Sequence, residues 1–472
     1  MVQLNQNFIN SIAQDLPSHL SLDDFIHFCG QPLRLSIRVN TLKISCAHFI
    51  ERMTPFGWSF EPIPWCKEGF WLTFNKNCQL GNTIEHLQGL FYIQEASSML
   101  PPTALFQGFD FNDTDTLLDM ASAPGSKTTQ IAAMMNNQGL LIANEYSASR
   151  IKVLHANVLR MGISNTALTH FDARVFGEYL YESTEAILLD APCSGEGTVR
   201  KDPDALTHWD PDKIDDIATT QKALIQSAFL TLKPGGSLVY STCTLNKAEN
   251  QAVCLYLKDL YPDAVHFDDL SQLFPEANKA ITEEGFLHVW PQVYDSEGFF
   301  VAKITKKQSV PRLVPQPNKQ KNFPFSPASQ KHTQALMDYF HHTFDIDLSG
   351  QGTIMQRENE YWLFPTPFIP FIGSMRFQRI GVKLADSFKQ GFKAKHEALM
   401  ALGNGKASIT LPQEEAEQFL MGRDIFLSSK TKTQGEVLVS YEGQLLGMAK
   451  HLGNKLKNNL PRDLVKDKVV PL

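Results

Sequence analysis

Hydrophobic and polar positions follow two rhythms along the middle of the chain. Between about residues 115 and 304, short apolar runs of strand length alternate with stretches of helical spacing. Thr116-Leu-Leu-Asp-Met and Leu140 to Asn144 are two such runs. Ile151, Leu154, Val158 and Met161 step by 3, 4 and 3, which places them on one helix face. Ala186 to Leu189 and Ser237 to Tyr240 are further strand-like runs. A helix near 215–232 is predicted to stop at Lys233-Pro234-Gly235-Gly236. Gly298-Phe-Phe-Val-Ala-Lys-Ile closes the section as a strand. The alternation predicts an α/β fold, a mostly parallel, doubly wound sheet with helices on both faces. Ligands of such sheets bind beyond the C-terminal strand ends.

The flanks are less regular. Residues 1–100 read as an α+β extension with one clear strand candidate, Ser36-Ile-Arg-Val-Asn-Thr-Leu-Lys, carrying the basic residues Arg38 and Lys43 and preceded by Arg34. Residues 306–332 hold five prolines and five lysines without an apolar period, which predicts an extended, exposed linker. The chain thus divides into 1–100, a central domain 101–305, the linker, an intermediate domain 333–405 and a last domain 406–472. Tyr361 to Ile380 is rich in aromatics and proline, and its pattern leaves helix or strand open. Glu436-Val-Leu-Val-Ser-Tyr, Glu442-Gly443 and Gln444-Leu-Leu-Gly-Met-Ala-Lys predict a β-hairpin.

Composition narrows the class. With 43% hydrophobic and 20% charged residues over 472 positions, a disordered chain is excluded. No apolar run approaches the ~20 residues of a membrane helix, and Met1 to Leu16 lacks the basic region of a signal peptide. Seven scattered cysteines without a CxxC pair argue against a disulfide framework and against a metal site, and point to the cytoplasm. The net charge of −7 conceals a division: residues 1–300 carry 19 basic and 35 acidic side chains, residues 301–472 carry 24 and 15. A basic tail behind an acidic body suits a polyanionic partner as well as a merely solvated surface.

Four segments could carry chemistry. Asp119-Met-Ala-Ser-Ala-Pro-Gly-Ser-Lys-Thr follows a strand and opens a helix, so its small residues let a ligand approach unpaired helix N–H groups. Alone, it fits a plain strand–turn–helix as well as a nucleotide site. Glu145 ends the next strand run, where a carboxylate suits two ribose hydroxyls. Asp172, after a third run, suits an adenine amino group or caps a turn. Leu188-Leu-Asp190-Ala-Pro192-Cys193 runs into a glycine-rich loop that ends at Pro203, and Tyr240-Ser-Thr-Cys243 leaves the next strand before a helix. A thiol in that setting is a nucleophile or a small buried hydrophobe. Cys254 and the four N-terminal cysteines are assigned to the second class. Two thiols on adjacent strand ends beside a carboxylate suit pyrimidine chemistry. A thiolate adding to carbon 6 makes carbon 5 able to accept a methyl group, and a base must then remove the carbon 5 proton.

Together, Asp119-Met-Ala-Ser-Ala-Pro-Gly-Ser-Lys-Thr, Asp190-Ala-Pro-Cys-Ser-Gly-Glu-Gly and Ser241-Thr-Cys-Thr-Leu with Glu249-Asn250 resemble the signature motifs of the S-adenosylmethionine-dependent RNA 5-methylcytosine methyltransferases. The resemblance spans about residues 30–304 and, more weakly, the tail. It implies that Cys243 is the nucleophile and that Cys193 serves product release, as or near the base. Asp190 would contact the cytosine beside the methyl donor. Ala121, Ser122, Ala123, Pro124, Gly125, Ser126 and Lys127 would cradle the donor S-adenosylmethionine, with Glu145 on its ribose and Asp172 on its adenine. The implied fold is a seven-stranded Rossmann-like sheet with one antiparallel strand, for which Phe299 to Ile304 is the candidate. Arg38-Val-Asn40-Thr resembles the family's RNA-contacting segment, so Arg38 and Asn40 are expected to touch RNA. Ala121 and Ser126 stand where the commonest family pattern has cysteine and glycine. That departure leaves the two catalytic cysteines untouched.

This variant motif, the extension Glu196 to Pro203 and the basic tail resemble the ribosomal RNA branch of the family, whose tail includes a PUA-like RNA-binding module. Lys450, Lys455, Lys457 and Arg462 fall there, in a span with no acid from Gly443 to Arg462. The implied partner is ribosomal RNA or the small ribosomal subunit, and no membrane or obligate protein partner is indicated. Cytosine-5 methylation of small-subunit ribosomal RNA is the leading reading. Its rivals are the same chemistry on transfer RNA and a non-catalytic RNA-binding or assembly protein on a methyltransferase fold. The absence of GxGxxG disfavours a dinucleotide dehydrogenase.

Overall fold

The computed structural model describes residues 4–74, 79–202, 204–206, 209–389, 391–427 and 434–470. Cys78 and Pro203, both considered above, lie outside the described residues. The central sheet is built on seven strands: β1 (Thr116–Asp119), β2 (Leu140–Asn144), β3 (Thr166–Thr169), β4 (Thr184–Asp190), β5 (Leu232–Thr242), β6 (Val265–Asp268) and β7 (Phe299–Lys306). Their spatial order is β6-β7-β5-β4-β1-β2-β3. Strands β1 to β5 pair in parallel. β7 runs antiparallel to β5 as expected, and β6 runs antiparallel to β7. Two short strands enlarge the sheet. Leu287–Val289 pairs with β7, and Arg379–Ile380 adds to the free edge of β3. The latter resolves part of the segment 361–380, which also holds the strand Glu360–Phe364 and the 3-10 helix Thr366–Phe371.

Both faces of the sheet are covered, so successive residues of one strand enter opposite cores. Leu118, Ile142 and Ile187 pack with Phe176 and Phe229 on one side. Leu117, Leu141 and Leu188 pack with Ile131, Leu154 and Val158 on the other. This explains the near-continuous apolar runs. Helix α1 (Ser126–Met134) follows β1. Helix α2 (Arg150–Met161) buries the four residues its period predicts and stops at Gly162, whose φ of 72° needs no Cβ penalty. Helix α3 (Pro211–Thr231) starts earlier than its apolar period, because Asp210 caps it and Pro211 fills its first position. β5 begins immediately after it. Lys233 to Gly236 is therefore an irregularity within the strand, between the pairs Thr184↔Leu232 and Ala186↔Ser237. β1 lies between β2 and β4, so the chains leaving β1 and β4 part from each other and open a crevice.

A four-stranded antiparallel sheet precedes this body, and two five-stranded sheets follow it. The expected hairpin forms from Gln434–Tyr441 and Gln444–Leu452, with positive φ at Glu442 and Gly443 as a tight hairpin turn requires. Residues 307–325 have no helix or strand but lie on the body. Tyr181 donates to the Val310 carbonyl, Val310 is buried, and Phe323 and Phe325 pack against the core. No helix among the described residues is long and apolar enough to cross a membrane.

Arg38 and Asn40 correct the expectation of RNA contact. Both are buried, because both faces of the strand Ser36–Val39 are covered. Arg38 donates to Gln94 Oε1 (2.9 Å), Thr129 Oγ1 (2.9 Å) and the Ser126 carbonyl (3.2 Å). Asn40 donates to the carbonyls of Gly89 (2.8 Å) and Met161 (2.9 Å). These side chains stitch the N-terminal part to α1 and α2. Asn40→Ala strands two buried carbonyls and is expected to cost about 1–3 kcal/mol, read from urea unfolding. A fully stable variant with weakened RNA binding would restore the surface role.

Candidate active site

The crevice has two walls. The first is the turn from β1 into α1. Gly125 sits at φ 106°, and a Cβ there would come within 3.1 Å of Leu154. Carbonyls of the turn are held from outside: Asn157 Nδ2 donates to Pro124 O (2.9 Å) and Arg150 to Ala123 O (2.5 Å). The first-turn amides of α1 are left facing the crevice, where they favour anionic or acceptor groups. Ala121, Ser126 and Lys127 are half-buried, Pro124 is exposed, and Ser122, Ala123 and Gly125 are buried. Glu145 is buried beside the turn and accepts from Ala123 N (3.3 Å) and Ser147 N (2.8 Å). Asp119 is buried, with Oδ2 accepting from Thr128 Oγ1 (2.7 Å) and Oδ1 left without a partner. Burial pushes its carboxyl up to about 6. An orphaned carboxylate oxygen, a turn that excludes a Cβ and a second buried acid fit an amino- and ribose-bearing donor. Asp172 stands apart from this set. The Arg174 guanidinium grips its carboxylate and holds it below its usual range.

The second wall carries the thiols. Asp190 ends β4 and accepts from Ser241 Oγ and from Lys127 Nζ, each at 2.7 Å. Burial works against the Lys127 charge, but Asp190 overrides it and the pKa stands above its ordinary value. Cys193 Sγ lies 3.3 Å from Cys243 Sγ. The hydrogen bond to Cys243, burial, and the charges of Cys243 and Glu249 together push the Cys193 thiol well above its usual range.

Two buried carboxylates hold these loops together. Glu249 accepts from Ser194 N and Gln221 Nε2 (both 2.9 Å) and from Asn246 Nδ2 (2.7 Å). Glu196 accepts from Thr244 Oγ1 (2.9 Å), Asn246 N (2.9 Å), Leu245 N (3.1 Å) and Trp209 Nε1 (2.7 Å). Ser194 and Thr244 each follow a cysteine, and their hydroxyls meet at 2.7 Å. Gly197 donates to the Cys243 carbonyl and accepts from Gly298 N at the start of β7. A Cβ on Gly197 would lie 2.1 Å from the Gly298 carbonyl oxygen.

The structure therefore brings together Asp190, Cys193 and Cys243, and adds Lys127 from the first wall. Sequence reasoning quoted Asp119 and Glu196 within their motifs without giving either a contact at the site. The visible signal was an acid at the head of a small-residue turn or between two glycines. In the tail, Lys450 and Lys457 face each other across paired strands and are exposed, as is Arg462. Lys455 is paired with Asp424 at 3.1 Å.

Comparison with known proteins follows this division. A family model described as 16S rRNA methyltransferase RsmB/F matches residues 107–305. Models for the N-terminal domain of 16S rRNA methyltransferase RsmF, the pre-PUA domain of ribosomal RNA small subunit methyltransferase F and the methyltransferase RsmF PUA domain match 4–96, 325–402 and 406–466. Ribosomal RNA small subunit methyltransferase F of Shewanella loihica is 68% identical, covering 99% of this chain and 97% of its own. That of Shewanella pealeana is 65% identical, covering 99% of both. A solved methyltransferase homolog protein from Pyrococcus horikoshii is 34% identical with a TM-score of 0.52, covering 64% of this chain and 100% of its own. NSun6 from Pyrococcus horikoshii, solved with SFG, shares the fold at 22% identity and a TM-score of 0.56, covering 65% and 99%.

Glu249→Gln replaces one acceptor oxygen by a donor and leaves at least one buried N–H unpaired. The expected loss is about 1.5–3 kcal/mol, the range for hydrogen bonds to a charged group. An unchanged urea midpoint would show that the two loops are held by other contacts.

Proposed function

The chain belongs to the 16S rRNA methyltransferase RsmB/F family, and from that membership we propose that it methylates carbon 5 of a cytosine in 16S ribosomal RNA through a covalent bond to Cys243. The observation that carries this reading is the pair of thiols 3.3 Å apart beside the Asp190–Lys127 ion pair. Its cofactor, S-adenosylmethionine, supplies an electrophilic methyl group. The family resemblance makes Cys243 the nucleophile, whose sulfur adds to carbon 6; the hydrogen bond to Cys243, burial and the nearby Glu249 charge oppose ionisation of Cys193. Asp190 and Lys127 hydrogen-bond the ring as its charge shifts. Once carbon 5 has taken the methyl group, a base at or near Cys193 takes its proton, and the electron pair of that C–H bond re-forms the ring double bond and expels Cys243 from carbon 6 as thiolate.

In this reading Ala121 to Lys127 cradle the donor, Glu145 holds its ribose, and the free Asp119 Oδ1 accepts from its ammonium group. Asp172 is the candidate for the adenine, and its carboxylate is held by Arg174. The target base must leave its stack, because a thiol cannot reach carbon 6 inside a helix. The exposed Lys450, Lys457 and Arg462 supply phosphate contacts, whose contribution falls with salt. The names of the relatives support ribosomal RNA as the substrate, and free thiols suit the cytoplasm.

Cys193→Ala mixed with total cellular RNA and S-adenosylmethionine is expected to give a donor-dependent protein–RNA band on a denaturing gel. The band should vanish in Cys193→Ala/Cys243→Ala. Full methyl transfer by Cys243→Ala would refute the mechanism. Because the Asp119 carboxyl ionises near pH 6, affinity for S-adenosylhomocysteine should rise with pH, by up to about tenfold between pH 5 and 7. Asp119→Asn should flatten that rise in calorimetric titrations.

A further inference from the structure

A second cavity, of about 720 Å³, lies where all four parts of the chain meet. Its walls come from α2, the short helix Ile84–Leu87, the helix His396–Leu402 and the segment 460–466. That volume is within the range of small-molecule sites, roughly 300–1,000 Å³. None of its lining residues belongs to the loops that carry Asp190, Cys193 or Cys243.

The lining is amphipathic. Leu87, Leu159, Met400, Leu446 and Leu460 form an apolar floor. Lys152, Arg160 and Lys466 stand above it, and none of them forms an ion pair among the described residues. The Arg160 guanidinium donates only to neutral acceptors, the carbonyls of His86 (3.0 Å) and Phe91 (3.2 Å) and Asn157 Oδ1 (3.2 Å). The other wall cations are matched: Lys383 by Glu360 and Asp386, Lys395 by Asp386. Of the two acids, Glu397 is taken by Arg379, and the exposed Asp463 lies near His155 and His396, where it opposes part of the positive charge. The wall therefore keeps an excess of positive charge.

Three histidines complete it. His86 Nδ1, His155 Nε2 and His396 Nδ1 are buried and have no hydrogen-bond partner. Burial, reinforced by Arg160, Arg379 and Lys43 respectively, pushes these imidazoles down to about 3, about 4 and about 4. Buried polar atoms without partners are rare. Those nitrogens are closed to solvent and do not face the cavity; it is the unmatched cations of the wall that call for a ligand with negative charge. The leucine floor calls for a flat, weakly polar ring on the same ligand. An inorganic anion would leave that floor uncovered, and a fatty chain would leave the cations unmatched.

We propose that this interdomain cavity binds a nucleoside phosphate, its phosphoryl group on Lys152, Arg160 and Lys466 and its base on the leucine floor. The nucleotide is either free in solution or a residue of the bound RNA, and the chemistry is the same for both. Because every part of the chain contributes a wall, the ligand fastens the two C-terminal domains to α2. The site does not depend on the cysteine chemistry, so it stands or falls separately from the proposed reaction.

The test uses the full-length protein with saturating S-adenosylhomocysteine, which closes the donor site to nucleotides. AMP, CMP, GMP and UMP are titrated by calorimetry, and 16S ribosomal RNA by filter binding. The variants are Lys152→Glu/Lys466→Glu and Ala156→Trp. Lys152 and Ala156 are exposed on α2, and the tryptophan projects into the cavity. Mononucleotide binding that weakens about tenfold or more in both variants would support a free ligand. RNA affinity that falls in both variants, while no mononucleotide binds, would identify RNA as the source. A fall confined to the charge-reversal variant would reduce the effect to surface electrostatics and overturn the cavity. Affinities within twofold of wild type in both variants would also overturn it.

Discussion

The chemistry of this molecule depends on two buried carboxylates that form no ion pair among the described residues. Glu196 and Glu249 spend their lone pairs on backbone and side-chain donors from the loops after β4 and β5. Parallel strands leave their ends independent, and nothing in strand pairing fixes where the following loops go. An anion that accepts several hydrogen bonds spanning both loops removes that freedom, because each unmade bond would leave a buried donor unsatisfied. The 3.3 Å approach of Cys193 and Cys243 follows from this fastening. The contact of Gly197 with Gly298 extends it to β7, where any side chain at Gly197 would collide.

The same construction gives the site a polarity. Lys127 belongs to the turn from β1 yet reaches Asp190 at the end of β4. The residues that cradle a donor and those that face the thiols thus share one short segment, and a change in the turn is felt at the ion pair.

The domains share apolar clusters, and polar bonds cross the same seams. Arg38, Asn40 and Lys43 donate across the junction with the central body, and Gln88 donates to the carbonyls of Tyr441 and Gln444. Such groups are stable inside only because each donor meets an acceptor. That rule makes the unpartnered imidazoles at the four-way junction stand out. It also explains why Arg38 misleads a linear reading: a basic residue on a strand looks like surface until a second layer covers it.

Periodicity alone determined the alternating strands and helices, the buried face of α2 and the C-terminal hairpin, whereas the antiparallel character of β7 was implied only by the family resemblance. These depend on spacing within a few residues, which the linear chain records. The pair Cys193 with Cys243 was suggested by motifs, though not its separation, and the pair Asp190 with Lys127 was not suggested at all, because residues 50 and 63 positions apart meet only through strand order. The addition of Arg379–Ile380 to the sheet, the burial of Arg38 and Asn40 and the junction cavity came from folding alone. Each rests on which surfaces lose their water, and that is decided by contacts between distant segments rather than by the order of residues within one.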